Sequence, residues 1–198
     1  MLKSTLLVLT LLVQSSTGLL AQETPRPNNV RNAGAFLCSA FLPVVRQPGR
    51  EVEKTAFLNW AAAYTTAASR SNGMIDMFPI GDTWELLRTI SLVCVEDETQ
   101  SFEKALQVTL SRMRPFWVRQ DSGVISLSDP SGRTIQFFTE AVPALQEALN
   151  QYGANVSIDG EYGNQTGNAI LRINQARGAQ GWMTPDGELL YQITRPEN

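Results

Sequence analysis

The sequence holds few of the residue types that enzymes use for catalysis. It contains no histidine and two cysteines, so Ser-His-Asp and Cys-His nucleophilic catalysis are excluded. A zinc site without histidine needs carboxylates, and no acidic cluster has suitable ligand spacing, so we expect no metal and no cofactor. The remaining candidates for a lone acid catalyst are glutamates of the first half of the chain, Glu51, Glu53, Glu85 and Glu103.

Residues 159–166, DGEYGNQT, concentrate special residue types in one short loop. Asp159-Gly160 is typical of a tight turn, because Asp bonds to its own backbone and Gly accepts a positive φ. Tyr162 offers a ring to the core and a hydroxyl to solvent. Gly163 precedes a predicted helix, at a position where we expect a side chain not to fit. Thr166 lies in the first turn of that helix, where its hydroxyl can bond to a backbone N–H group that has no partner within the helix. The residues alone leave two interpretations open, a turn that only specifies the fold and a turn that also binds ligand.

The elements that must position these residues are mainly helical. Apolar residues recur every three or four positions over residues 34–115, which predicts a domain of four helices. Residues 116–138 predict a β-hairpin connector, because two runs of β-forming residues flank a turn. Residues 139–194 predict three further helices. We expect the hairpin to pack on a neighbouring unit, since an isolated hairpin is only marginally stable.

An ordered pattern of short elements runs through residues 141–190. It reads LQ-x-x-LN-x-x-G and then DG-x-YG-x-x-T-x-x-AI, and it covers about a quarter of the chain. This stretch resembles the small three-helix peptidoglycan-binding module attached to bacterial wall hydrolases, although Ile173 and Asn174 stand where phenylalanine and glutamine are usual. The resemblance implies a peptidoglycan-binding-like domain over residues 139–194. The residues that it assigns to binding are Gln146, Asp159, Gly160, Tyr162, Gly163, Thr166 and Asn174.

The N-terminal residues 1–21 have the pattern of a secretory signal peptide. Lys3 supplies the positive charge, and residues 6–13 form the apolar segment. The alternative, an uncleaved anchor helix, needs a longer apolar run. We expect cleavage after Ala21, a flexible leader over residues 22–33, and a bacterial protein that is periplasmic or secreted, with no membrane contact after cleavage.

Export determines what is expected of the two cysteines. In an oxidising compartment, Cys38 and Cys94 are expected to form a disulfide, and two buried free thiols are the alternative. The bridge would join the first predicted helix to the third.

The helical first half shares its size, its helical pattern and its single expected disulfide with a second group of proteins. The elements that carry this likeness are Phe36-Leu37-Cys38, Asn59–Tyr64, Phe78-Pro79-Ile80, Thr83–Leu87 and Pro115-Phe116-Trp117. It resembles, less closely, the small periplasmic acid-stress chaperones and related helical immunity proteins. The resemblance implies a protein partner or client for this half.

These observations together favour an exported, non-catalytic protein that binds peptidoglycan through its C-terminal domain and a partner or client through its helical N-terminal domain. Two alternatives remain open, an immunity-type inhibitor of a wall-attacking enzyme and a small helical wall hydrolase that uses one of the glutamates. A nucleic-acid partner is not expected, because the 16 Lys and Arg residues are scattered and the net charge is −3.

Overall fold

The computed structural model describes residues 31–129, 132–179 and 182–195. The predicted signal peptide, residues 1–21, lies outside the described residues, as does most of the predicted leader, residues 22–33. At the end of that leader, Asn32–Ala35 form a 3-10 turn in which Ala33 is buried. The folded part of the chain therefore includes residues that the sequence had placed in the leader.

The described residues form seven α-helices and one antiparallel pair of strands. The helices of the first half are α1 (Cys38–Arg46), α2 (Glu51–Ser71), α3 (Thr83–Glu96) and α4 (Phe102–Arg112). Those of the second half are α5 (Val142–Gln151), α6 (Asn164–Ala176) and α7 (Gly187–Ile193). The strands are β1 (Val124–Ser128) and β2 (Thr134–Phe138). The prediction of a mainly helical chain with a small hairpin is confirmed.

Side-chain caps fix where three of the helices begin. Asp82, Ser101 and Asp186 precede α3, α4 and α7, and each accepts a hydrogen bond from a backbone N–H of the first turn. Such caps satisfy N–H groups that have no partner within the helix. The sequence had placed the start of α4 at Thr99, which instead bonds through its N–H and its hydroxyl to Asp97.

A disulfide joins α1 to α3, as predicted. Cys38 and Cys94 are both fully buried, and their Cα atoms lie 5.1 Å apart. Beside the bridge, the rings of Phe41, Phe57 and Phe102 meet at centroid distances of 4.7–4.9 Å. The bridge and these three rings form the centre of the first half.

The hairpin packs on the first half of the chain. Ile135 and Phe137 of β2 are buried. Strand β2 also pairs with the segment before α3, because the N–H of Gly81 donates to the carbonyl of Gln136 at 2.9 Å. The hairpin therefore does not stand alone in solvent.

The first and second halves of the chain meet where α7 packs on α3. The N–H of Gly187 donates to Oε2 of Glu85 at 3.1 Å. A Cβ at this glycine would overlap Oγ1 of Thr89 and lie 2.9 Å from the carbonyl oxygen of Glu85. Only a glycine allows the two backbones to approach this closely. The units predicted at residues 34–115 and 139–194 share one buried core.

The hairpin adds an arginine to this junction. Arg133 places Nη1 3.5 Å from Glu85 and Nη2 3.6 Å from Asp186, and its guanidinium lies 3.9 Å from the centre of the Trp182 ring. One cation therefore contacts α3, the residue that caps α7 and the segment before α7.

Within the described ranges, no helix combines the length and the apolar character needed to cross a bilayer.

Candidate ligand-binding site

The turn that begins at Asp159 is held by the side-chain amide of Gln146 on α5. This side chain is 1% exposed. Its Nε2 lies 2.7 Å from Oδ1 of Asp159, 3.0 Å from the carbonyl of Glu161 and 3.2 Å from Oγ1 of Thr166. Its Oε1 accepts the N–H of Gly160 at 3.0 Å. One buried amide thus joins α5, the turn and the first turn of α6.

The two glycines of the loop have different roles. Gly160 has a φ of +76°, a conformation that glycine adopts without steric cost. Gly163 has a φ of −103°, and a Cβ there would meet nothing within 4 Å. The expectation that a side chain does not fit at Gly163 was therefore wrong.

Tyr162 and Asn174 hold the segment that precedes α7. The hydroxyl of Tyr162 donates to the carbonyl of Met183, and burial raises the pKa of this tyrosine. Asn174 is fully buried. Its Nδ2 donates to the carbonyl of Trp182 at 2.8 Å, and its Oδ1 accepts from Nε of Arg177 at 2.8 Å.

The structure thus brings the predicted binding residues together, but mostly as internal cross-links. The side chains of Gln146, Thr166 and Asn174 are buried, so direct contact with a ligand would require the turn to open. Asp159 is exposed and offers a carboxylate to solvent. Ligand contact by these residues stays a prediction.

A groove of about 350 Å³ lies on the same unit, between the end of α5, α6 and α7. Tyr152 and Gln192 line it, and the hydroxyl of Tyr152 accepts from Nε2 of Gln192 at 2.5 Å. Arg172 also lines the groove, is exposed and forms no ion pair with a described residue. The apolar residues that line the groove are Ala154, Ala169, Ile173 and Ala176.

Sequence reasoning missed this groove because Tyr152 continues the apolar spacing of α5. Leu145 and Leu149 precede it at helical intervals, which predicts a core position. The sequence correctly ended this helix at Gly153 but counted Tyr152 on its apolar face. Helix α5 ends at Gln151, and Tyr152 is 41% exposed.

No protein family, curated protein or solved structure matches this chain. The likeness of residues 139–194 to a wall-binding module therefore rests on the ordered sequence pattern, and it stays a prediction.

Glu85, one of the glutamates considered as an acid catalyst, is 2% exposed. Its Oε1 lies 2.5 Å from Nη1 of Arg88 and 3.5 Å from Nη1 of Arg133, and its Oε2 accepts the N–H of Gly187. A carboxylate with these contacts acts as a structural link, and it has no exposed oxygen to present to a substrate.

The other glutamates lie nearer the surface. Glu51 accepts from Nζ of Lys54 at 2.8 Å, and Glu103 is half-buried. Glu53 is exposed, and hydrogen bonds from its own backbone and from Arg50 lower its pKa, whereas a general acid at neutral pH needs a raised one. In the part of the chain that the structure describes, no group of three or more Cys, Asp or Glu residues is placed to hold a metal.

Replacing Gln146 with leucine is expected to lower the free energy of unfolding by about 2–3 kcal/mol, because the turn loses its buried hydrogen-bonding partner. Chemical denaturation of the full chain measures the change. Gln151→Leu is the matched control, since Gln151 is exposed on the same helix, and its effect is expected to stay within about 0.5 kcal/mol. Equal losses in the two variants would contradict the linking role of Gln146.

Acid is expected to weaken the same turn through Asp159. Hydrogen bonds from the Gln146 side chain and from the Glu161 N–H lower the pKa of Asp159. A carboxyl whose pKa is lower when folded stabilises the protein above its unfolded pKa, and this contribution is lost as pH falls through the folded pKa.

The difference in melting temperature between the parent chain and Asp159→Asn is therefore expected to shrink between about pH 5 and pH 2. Asp121→Asn, at an exposed position, is the control. A difference that is constant with pH would contradict the prediction.

Proposed function

We propose that this protein is an exported, non-catalytic envelope protein of bacteria. In this proposal a three-helix peptidoglycan-binding-like domain, residues 139–194, binds the cell wall. The disulfide-linked helical domain, residues 34–115, binds a protein partner or client, and residues 116–138 connect the two. The observation that supports wall binding is that both halves of the sequence pattern meet in one hydrogen-bonded unit, at the amide of Gln146.

The groove beside this unit has side chains suited to peptidoglycan, which offers sugar rings, amides and free carboxylates. The exposed ring of Tyr152 can stack on the apolar face of a sugar. The guanidinium of Arg172 can pair with a stem-peptide carboxylate in a bidentate contact. The amide of Gln192 can donate to sugar hydroxyls and peptide carbonyls.

Retention of the full chain on purified sacculi tests the proposal. The full chain is used because the two helical units share one core. Arg172→Gln is expected to lower the retained fraction about fivefold or more, as for a lost charge-assisted hydrogen bond. Arg119→Gln is the matched control, because Arg119 is exposed and lies outside the groove.

Three outcomes are informative. No retention above an unrelated protein would rule out wall binding. If Arg172→Gln and Arg119→Gln reduce the retained fraction equally, the chain still binds the wall but the groove is rejected as its binding site. Release of dye from labelled sacculi would support the hydrolase alternative instead.

A further inference from the structure

A second cavity, of about 250 Å³, lies in the first half between α2, residues 75–81 and the start of α3. Its apolar walls are Ala62, Ile75, Phe78, Ile80 and Leu86. Its polar lining residues are Thr65, Thr66, Ser69 and Arg70 of α2, together with Asp76 and Thr83. The volume is many times what one water molecule requires.

Two of the hydroxyls that line this cavity lack partners. Thr65 is 6% and Ser69 is 2% exposed, and neither side-chain oxygen bonds to any described residue. Elsewhere on α2, Thr55 and Ser71 each donate to the carbonyl four residues earlier. Because buried hydroxyls are nearly always hydrogen-bonded, Thr65 and Ser69 indicate a polar guest.

The interior of the cavity favours a guest with donor groups and positive charge. Oδ1 of Asp76 accepts the N–H of Phe78 at 2.9 Å, and the half-buried carboxyl group lines the cavity. Burial raises the pKa of Asp76. Ser69 lies in the last turn of α2, where the helix dipole favours a cation.

The opening of the cavity carries a positive charge instead. Arg70 is exposed and forms no ion pair with a described residue. A simple amine would be repelled by this guanidinium, whereas a zwitterion can place its ammonium inside and its carboxylate on Arg70. The apolar walls then surround the rest of the molecule.

We propose that this cavity binds a small aliphatic α-amino acid. The three N–H donors of its ammonium meet Asp76, Thr65 and Ser69, its carboxylate pairs with Arg70, and its side chain lies against the apolar walls. This proposal is independent of wall binding by the second half.

Calorimetric titration of the full chain with alanine, as either enantiomer, tests the proposal. Propionate lacks the ammonium and ethylamine lacks the carboxylate, so each is expected to bind at least about tenfold more weakly than alanine. Absence of binding by both enantiomers up to about 10 mM, or equal binding of the three compounds, would overturn the proposal.

Matched variants locate the site. Thr65→Val and Ser69→Ala are each expected to weaken alanine binding about tenfold, whereas Thr55→Val and Ser71→Ala, on the same helix but outside the cavity, are expected to leave it unchanged. Thermal unfolding without ligand provides a second readout. Because the hydroxyl of Thr65 has no protein partner to lose, Thr65→Val is expected to fold at least as stably as the parent chain. Equal weakening by Thr65→Val and Thr55→Val would overturn the assignment of the cavity.

Discussion

Replacing both Cys38 and Cys94 with alanine is expected to lower the free energy of unfolding by about 4 kcal/mol. The two residues are separated by 56 positions, and a cross-link lowers the entropy of the unfolded chain by an amount that grows with the logarithm of this separation. Both sulfurs are buried, so the substitution also removes packed atoms at the centre of the first half. This is the largest single effect that we expect.

Chemical denaturation of the parent chain and of the double-alanine variant measures this effect. The parent chain unfolded in the presence of a strong reductant provides the control, and its stability is expected to approach that of the variant. A loss below about 1 kcal/mol would contradict the prediction, because it would mean that the unfolded chain is constrained by something other than the bridge.

Gly187→Ala is expected to lower the free energy of unfolding by about 3 kcal/mol, the upper range for overpacking a buried contact. The new Cβ would meet the carbonyl oxygen of Glu85 at 2.9 Å and overlap Oγ1 of Thr89. The backbone oxygen belongs to a packed helix and cannot yield easily. The Thr89 hydroxyl donates to that same oxygen at 2.7 Å, so its rotation also has a cost. Displacement of α7 would then break the bond from the Gly187 N–H to the buried Glu85 carboxylate.

Two further variants serve as controls for this prediction. Gly163→Ala is the matched control, because its Cβ enters open space, and its cost is expected to stay below about 1 kcal/mol. Adding Thr89→Ala to Gly187→Ala is expected to restore part of the lost stability, since one of the two overlaps is removed. Equal losses from Gly163→Ala and Gly187→Ala would contradict the close approach of α7 and α3.

Much of the fold was predictable because its signals are local. Helical spacing and turn residues predicted the helices and the hairpin, and the signal-peptide pattern led us to expect the disulfide. Helix starts were less predictable, because several neighbouring residues can act as caps. The side chain of Ser101, for example, reaches the first turn of α4, while Thr99 bonds to Asp97.

The candidate sites were predictable only in part. The turn at Asp159 and Gly160 was expected from the chemistry of two adjacent residues. The groove and the cavity were not, because each combines residues that are distant along the chain. Thr65 and Asp76, for example, line the same cavity only because the chain reverses direction after α2. The burial of Glu85 could not be predicted from the sequence either, since two of its contacts come from the hairpin and from α7.

The close contact between α7 and α3 has a consequence for the proposed function. Two modules on a flexible tether explore many separations, and their joint affinity depends on the length of the tether. Here Gly187 and Arg133 fasten one unit to the other. If the second half is anchored on the wall, the first half stands at one fixed height and angle above it. Such a protein would act as a rigid spacer, and the geometry of its partner would decide whether both surfaces are engaged at once.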